Sequence, residues 1–243
     1  MRGWGLVFGL LVGVALVAVV LEALPPFVVV ALAILGVVLG FRRYRAGRRV
    51  EKERAEANAL GLERSPDDRF GLGGLPFQLL ARGGGEASVE NVMWGTWRAL
   101  DVKLFDFRYR SAEDAPGEAR RFVCAVIPIE ANCPPVVIEP KTFFTPAADL
   151  GPLDPLDPLD PAPEGFEGAY DVRTTDRAFA DALLQDDLRR WIIETEDDVG
   201  FEVSGRMLLC YTPHRRRDAF ALLEVATGFG HRIPADVRTR HPG

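Results

Sequence analysis

Imidazole or thiolate chemistry in this chain would have to be built from three histidines (His214, His231, His241) and three cysteines (Cys124, Cys133, Cys210). Imidazoles and thiolates act as bases, nucleophiles or zinc ligands when several converge at set spacings. No such spacing occurs: there is no His-Glu-x-x-His, Cys-x-x-Cys or Gly-x-Ser-x-Gly pattern. The glycine runs Gly71-Leu72-Gly73-Gly74 and Gly83-Gly84-Gly85 are not followed by a helix opening with Lys or Ser, so neither reads as a phosphate cradle. Cys124 and Cys210 lie among apolar residues and read as small buried hydrophobes. Cys133 precedes Pro134-Pro135 and is expected in a more exposed turn, with no neighbouring His to activate it. His241 stands near the C-terminus and is expected to fray. The acid run Glu194-Thr195-Glu196-Asp197-Asp198 lacks the spacing and the glycine of a calcium loop and reads as a solvated turn. No catalytic residue, cofactor or metal ligand is assigned, and the reading leans away from an enzyme.

Binding residues offer more. Trp94 and Trp97 in NVMWGTWR either line the core or, if exposed, form a partner surface. Arg215, Arg216 and Arg217 follow His214 at an expected helix start, where cations oppose the macrodipole. They cap a surface loop or meet an acidic partner. Residues 131–146, Pro-punctuated and apolar, are a candidate cleft wall. PLDPLDPLDP (152–161) repeats Pro-Leu-Asp three times; in polyproline II it would present one Pro, one Leu and one Asp edge. It reads as a partner ligand or as a stiff acidic spacer.

Charge separates the chain into two parts. Residues 1–58 hold eight Lys+Arg and four acids, leaving 21 basic and 31 acidic residues in 59–243, a net of −10. Such a domain repels nucleic acid at long range, so nucleic acid is not an expected partner. Residues 4–24 are apolar apart from Glu22, and 27–41 form a second apolar run after Pro25-Pro26. As a helix the first run would be roughly 31 Å long, about one hydrocarbon thickness.

Three anchors fit: a two-helix hairpin (spans about 4–24 and 25–41), a cleaved signal peptide before one stop-transfer helix, or one kinked span. The glycines favour the hairpin. Gly5, Gly9 and Gly13 share one helical face; Gly36 and Gly40 share another, at matching depth below the turn. The same glycines could instead pair two copies of the chain. Arg42, Arg43, Arg45, Arg48 and Arg49 follow the second run directly. Lys and Arg beside a span stay cytoplasmic, and all three anchors then put residues 42–243 on the cytoplasmic side. These arginines also suit anionic lipid headgroups. Scarce, unclustered cysteine fits a reducing compartment, and the Arg-rich, Lys-poor usage suggests a bacterial source.

The elements that would position these residues follow from periodicity. We expect a basic juxtamembrane helix over 42–60 ended by Gly61, a linker over 61–90, and a cytoplasmic α+β domain over 91–243 with a Pro-Leu-Asp loop at 151–165. Strands are expected at 99–110, 122–129, 134–139 and 170–173, and a pair joined at Ser204-Gly205-Arg206. One amphipathic helix spans 175–193, capped by Thr174 or Thr175, and another spans 215–229. Strands followed by helices imply a mainly antiparallel sheet with packed helices.

The strand LFDFRYR (104–110), the block YDVRTTDRAFADALLQDDLRRWI (170–192) and GFEVSGRMLLCY (200–211) resemble a bacterial family of uncharacterised membrane proteins, the DUF3137 domain of unknown function. The resemblance covers roughly residues 90–225. It implies a two-span anchor with an α+β domain and brings no assigned catalytic residues. The expected function is a membrane-anchored interaction or scaffold module on the cytoplasmic face of the bacterial inner membrane. A sensor that signals through its hairpin is the alternative, and an enzyme at the membrane face a more distant one.

Overall fold

A computed structural model describes residues 57–58, 61–82, 86–110, 119–143, 153, 155–195, 199–213 and 219–242, together with 34, 35 and 37. The chain divides into two compact units, Met1–Ala55 and Glu56–Gly243. In the first unit Ile34, Leu35 and Val37 are helical, with exposed apolar side chains. No helix among the described residues is long and apolar enough to cross a membrane. The glycines at 5, 9, 13, 36 and 40 and the arginines at 42, 43, 45, 48 and 49 lie outside the described residues, as do the first expected span and all of the second but Ile34, Leu35 and Val37.

The second unit is α+β with an antiparallel sheet. Its elements are β1 (Glu63–Asp67), a 3-10 turn (Leu72–Gly74), α1 (Gln78–Ala81), β2 (Ser88–Trp97), β3 (Leu100–Tyr109), β4 (Arg120–Pro140), β5 (Asp157–Pro158), β6 (Tyr170–Thr174), α2 (Arg177–Leu183), α3 (Asp186–Glu194), β7 (Gly200–Pro213), α4 (Ala219–Arg232) and α5 (Ala235–Arg240). The strand order is β1-β2-β3-β4-β6-β5, with β7 pairing β4 along its length.

Several expected boundaries are corrected. Residues 61–90 are not a linker: they carry β1, the 3-10 turn and α1, with Leu72, Phe77, Leu79 and Leu80 buried. NVMWGTW (91–97) lies in β2, with Arg98 in the turn that follows. The strands expected at 122–129 and 134–139 are one 21-residue strand, and 200–213 is a single strand. The helix expected at 175–193 breaks into α2 and α3 at Leu184-Gln185, and its cap is Asp176, whose carboxylate accepts the Phe179 N–H at 3.0 Å. His241 is not frayed. Its carbonyl accepts the Asn132 N–H at 2.8 Å, and its ring stands edge-on to Phe179.

β4 can be so long because it bends. Prolines at 128, 134 and 135 donate nothing to the ladder, and the register with β7 shifts between Pro128 and Cys133 and again between Cys133 and Val136. Residues 15 apart on a flat strand would be roughly 50 Å apart. Yet Tyr211, paired with Cys124 near the start of β4, reaches Glu139 near its end with its hydroxyl, at 2.6 Å. The β4–β7 ribbon is therefore tightly curled.

Curling gives the sheet two apolar faces. On one, α2 to α5 bury Phe179, Leu183, Leu188, Ile192, Leu223 and Phe229 against Leu104, Ile127, Val203 and Leu208. On the other, concave face, Leu72, Phe77, Leu79 and Leu80 cover Phe105, Phe107, Phe122, Leu209 and Tyr211. Each such side chain contributes about 1.5–3 kcal/mol on burial.

The β2–β3 hairpin turns through Arg98 (φ 48) and Ala99 (φ 66), two side-chain-bearing residues in the left-handed region. Two-residue turns of this kind favour Asn-Gly. Relief of about 1–2 kcal/mol of left-handed strain exceeds the extra unfolded-chain entropy of glycine, about 0.4–1 kcal/mol. Ala99→Gly should therefore stabilise the domain by about 0.5–1 kcal/mol, read as a raised denaturation midpoint.

Candidate functional site

The chemistry-bearing residues of the described domain gather at one place, and none of them was singled out by the sequence. Glu139 (β4) accepts three donors: Arg82 Nη2 at 2.9 Å, Arg173 Nη2 of β6 at 2.7 Å, and the Tyr211 hydroxyl of β7 at 2.6 Å. Glu202 of β7 accepts the backbone N–H groups of Gln78 (2.5 Å) and Leu79 (2.8 Å). These open α1, a four-residue helix too short to be stable alone. A carboxylate from a distant strand thus serves the first N–H groups of α1, which no intrahelical carbonyl can reach.

Burial sets the electrostatics. The Arg82 and Glu139 side chains are only 2% and 6% exposed. Burial opposes the Arg82 charge most strongly, but Glu139, Tyr211 and Glu202 together outweigh it and hold the guanidinium above its ordinary value. Burial pushes Glu202 up to about 7, against the opposing pull of Arg82 and of the two backbone N–H groups. Burial, together with the Glu139 and Glu202 carboxylates, raises the Tyr211 phenol well above its usual range. Gly200 makes room for that phenol: a Cβ there would stand 2.4 Å from the Tyr211 ring. Among the described residues the network holds its charges buried under a cover of protein.

A sequence signal for this site exists. Glu139 in PVVIEP and Glu202 in GFEVS are single acids within apolar strand segments. A lone carboxylate in such a run must be paired or neutralised when the strand is buried.

The expected site residues fall elsewhere. Trp94 and Trp97 lie three apart on β2 and pack against opposite faces of the sheet. Trp94 meets Phe70 edge-on at 5.2 Å; Phe70 is 44% exposed, and Arg69 and Lys103 lie over the two rings. Trp97 meets Phe220 edge-on at 5.4 Å; Phe220 is 49% exposed, and Arg98 stacks on Trp97 while pairing with Glu224. Each tryptophan is thus half-buried under an exposed phenylalanine and a cation. Arg215, Arg216 and Arg217 lie outside the described residues.

Cys133, expected in an exposed turn, is buried in β4, and burial pushes its thiol up to about 12. Cys124 and Cys210 are fully buried and also raised, chiefly by burial. Among the described residues no group of His, Cys, Asp or Glu is arranged to hold a metal ion. A shallow cleft of about 120 Å³ lies between α2 and α5, lined by Asp176, Phe179, Asp236, Arg240 and His241. The Asp236–Arg240 pair occupies its polar groups.

The Pro-Leu-Asp repeat is part of the sheet. β5 pairs with β6, the Leu159 N–H donates to Val172, and Leu156 and Leu159 are buried while Pro155, Pro158, Asp157 and Asp160 are exposed. Leu156 and Leu159 face the protein's own core, while Leu153 is exposed.

The class defined by these features is an α+β domain built on a curled antiparallel sheet, helices on its convex face and a short strap on its concave one. No family model and no curated protein matches the chain. Among solved structures the chain is similar to the mycobacterial trehalose monomycolate transport factor A, TtfA, with a TM-score of 0.58 and 14% identity, covering 76% of this chain and 95% of that one. At that identity the likeness is one of fold.

Proposed function

We propose that the chain is a membrane-anchored bacterial protein whose α+β domain, facing the cytoplasm, docks a protein partner. The carrying observation is the pair of surface clusters Phe70–Trp94 and Trp97–Phe220. Each sets an exposed phenylalanine over a half-buried tryptophan with a cation against the rings. Anchored aromatics with Arg at their rim are the usual energetic centres of protein interfaces. The buried carboxylates around Glu139 support an interaction role over a catalytic one, because Glu139 is engaged by three donors and Glu202 by two.

The anchor rests on the two apolar runs and the arginines behind them. Likeness of fold to a protein described as a trehalose monomycolate transport factor supports a partner that serves transport. The resemblance to the DUF3137 family supports the same membrane-tethered plan.

The test is site-specific photocrosslinking in cells from positions 70 and 220. We expect one discrete protein adduct from at least one position, and its loss on Phe70→Glu or Phe220→Glu in the matching cluster. Because both phenylalanines are about half exposed, these changes should move stability by no more than about 1 kcal/mol. Adducts to lipid alone, or none from either position, would overturn the reading.

A further inference from the structure

We propose that residues 71–82 form a strap that lifts off the concave face of the sheet as a unit, turning about Gly71 and parting at the Glu139 and Glu202 carboxylates. The inference concerns movement within the domain and is independent of the docking surfaces.

The strap is fastened differently at its two ends. At its start, Asp68 accepts the N–H groups of Phe70, Leu72 and Gly73, so that end remains attached. At its far end the polar fastenings lead to two carboxylates: Gln78 and Leu79 to Glu202, and Arg82 to Glu139. Among the described residues the strap pairs with no strand. Its polar attachments to the sheet run through side-chain carboxylates and not through a strand ladder, and segments outside the ladder open at lower free energy than a paired core. Gly71 sits at φ 66, and a Cβ on it would meet nothing within 4 Å, so its left-handed backbone, and not crowding, is what calls for glycine. Three further glycines, 83–85, follow Arg82 in the sequence.

Charge gives the movement a direction. In the closed domain the Arg82 guanidinium faces both the Glu139 and the Glu202 carboxyl groups, and that of Arg173 faces Glu139. Lifting withdraws Arg82 and admits water to Glu202. The charged and titratable groups facing Glu202 are Arg82 from the strap, Glu139 and Cys124 from β4, and Tyr211 from β7, with Arg173 of β6 reaching Glu139. Closure raises Glu202 from 4.5 to about 7, chiefly by burial. The closed form therefore holds a proton that the open form releases. Acid keeps the strap shut, and opening increases as pH rises from 4.5 towards 7.

The uncovered surface is apolar: Phe105, Phe107 and Leu209 lie beneath Phe77, Leu79 and Leu80.

Amide hydrogen exchange on the full chain tests this, with protection corrected for intrinsic exchange. The amides of 77–82 should be less protected than those of β4 and β7, and should lose about twentyfold in protection between about pH 5.5 and 7.5. Glu202→Gln should flatten that dependence. Gly71→Ala places a side chain at positive φ in the closed state and should speed exchange of 72–82 by about five- to thirtyfold, with β4 and β7 unchanged. That variant decides the matter even where Glu202→Gln does not fold. Exchange of 72–82 only in step with β4 and β7, in the wild type and in Gly71→Ala, would overturn the proposal. Protection that does not change with pH would overturn the proton linkage.

Discussion

Glu139→Ala should cost the domain about 3–5 kcal/mol, a large part of the stability of an ordinary domain. The substitution removes little apolar surface. It leaves behind the Arg82 guanidinium, whose side chain is 2% exposed, and it takes the acceptor from Arg173 and from the buried Tyr211 hydroxyl. Breaking a buried pair by deleting one partner strands the other charge, and that stranded charge sets the size of the loss. Glu139→Gln keeps one acceptor oxygen and should fall between the two. Equilibrium denaturation of wild type, Glu139→Ala and Glu139→Ala/Arg82→Met measures it, and the double variant should recover part of the loss. A loss below about 1 kcal/mol would mean that water serves these groups and that the network is not sealed.

The second large effect is expected from a single methyl group. Gly200→Ala puts a Cβ 2.4 Å from the Tyr211 ring and 2.8 Å from its hydroxyl, closer than real contacts allow. The ring must move, and the ribbon is curled so tightly that it has no free direction. Overpacking costs about 1–3 kcal/mol, and a lost hydrogen bond to a charged acceptor adds about 1.5–3 kcal/mol. A loss of about 3–5 kcal/mol follows. The thermal midpoint should fall, and the near-ultraviolet signal of Tyr211 should change with it. An unchanged midpoint would show that the end of β7 can shift away from the ring, and with it that the curl is soft.

Much of the architecture was written in local pattern. The alternation in ALDVKLFDFRYR and the apolar runs FVCAVIPI and GFEVSGRMLLCYT lie in β3, β4 and β7. The antiparallel α+β character followed from their order. What was not legible had a physical reason in each case. Prolines 134 and 135 look like the end of a strand, yet here they sit where the register shifts and β4 continues through the bend. Asn91 adopts φ 54 within β2, and its side chain bridges Arg64 and Asp106, which hid the alternation of that strand. α1 was unreadable because its stability comes from Glu202, far along the chain. Cys133 looked exposed because the curl that buries it is a tertiary property. The carboxylates at the centre of the network were visible as isolated acids, but their partners are brought together only by that curl.

The edge strand drawn from the Pro-Leu-Asp repeat bears on how this protein stays separate from its own copies. A sheet that ended at β6 would present an open row of amide and carbonyl groups, and such rows seed the stacking of one sheet onto another. β5 covers the Arg173–Thr174 end of that row with a segment whose Pro155, Asp157, Pro158 and Asp160 are turned to solvent. The leucines fasten it from within, while the outer rim repels an identical rim and offers it few donors. At this edge of the sheet the short repeat acts as a terminator, disfavouring the addition of a further strand.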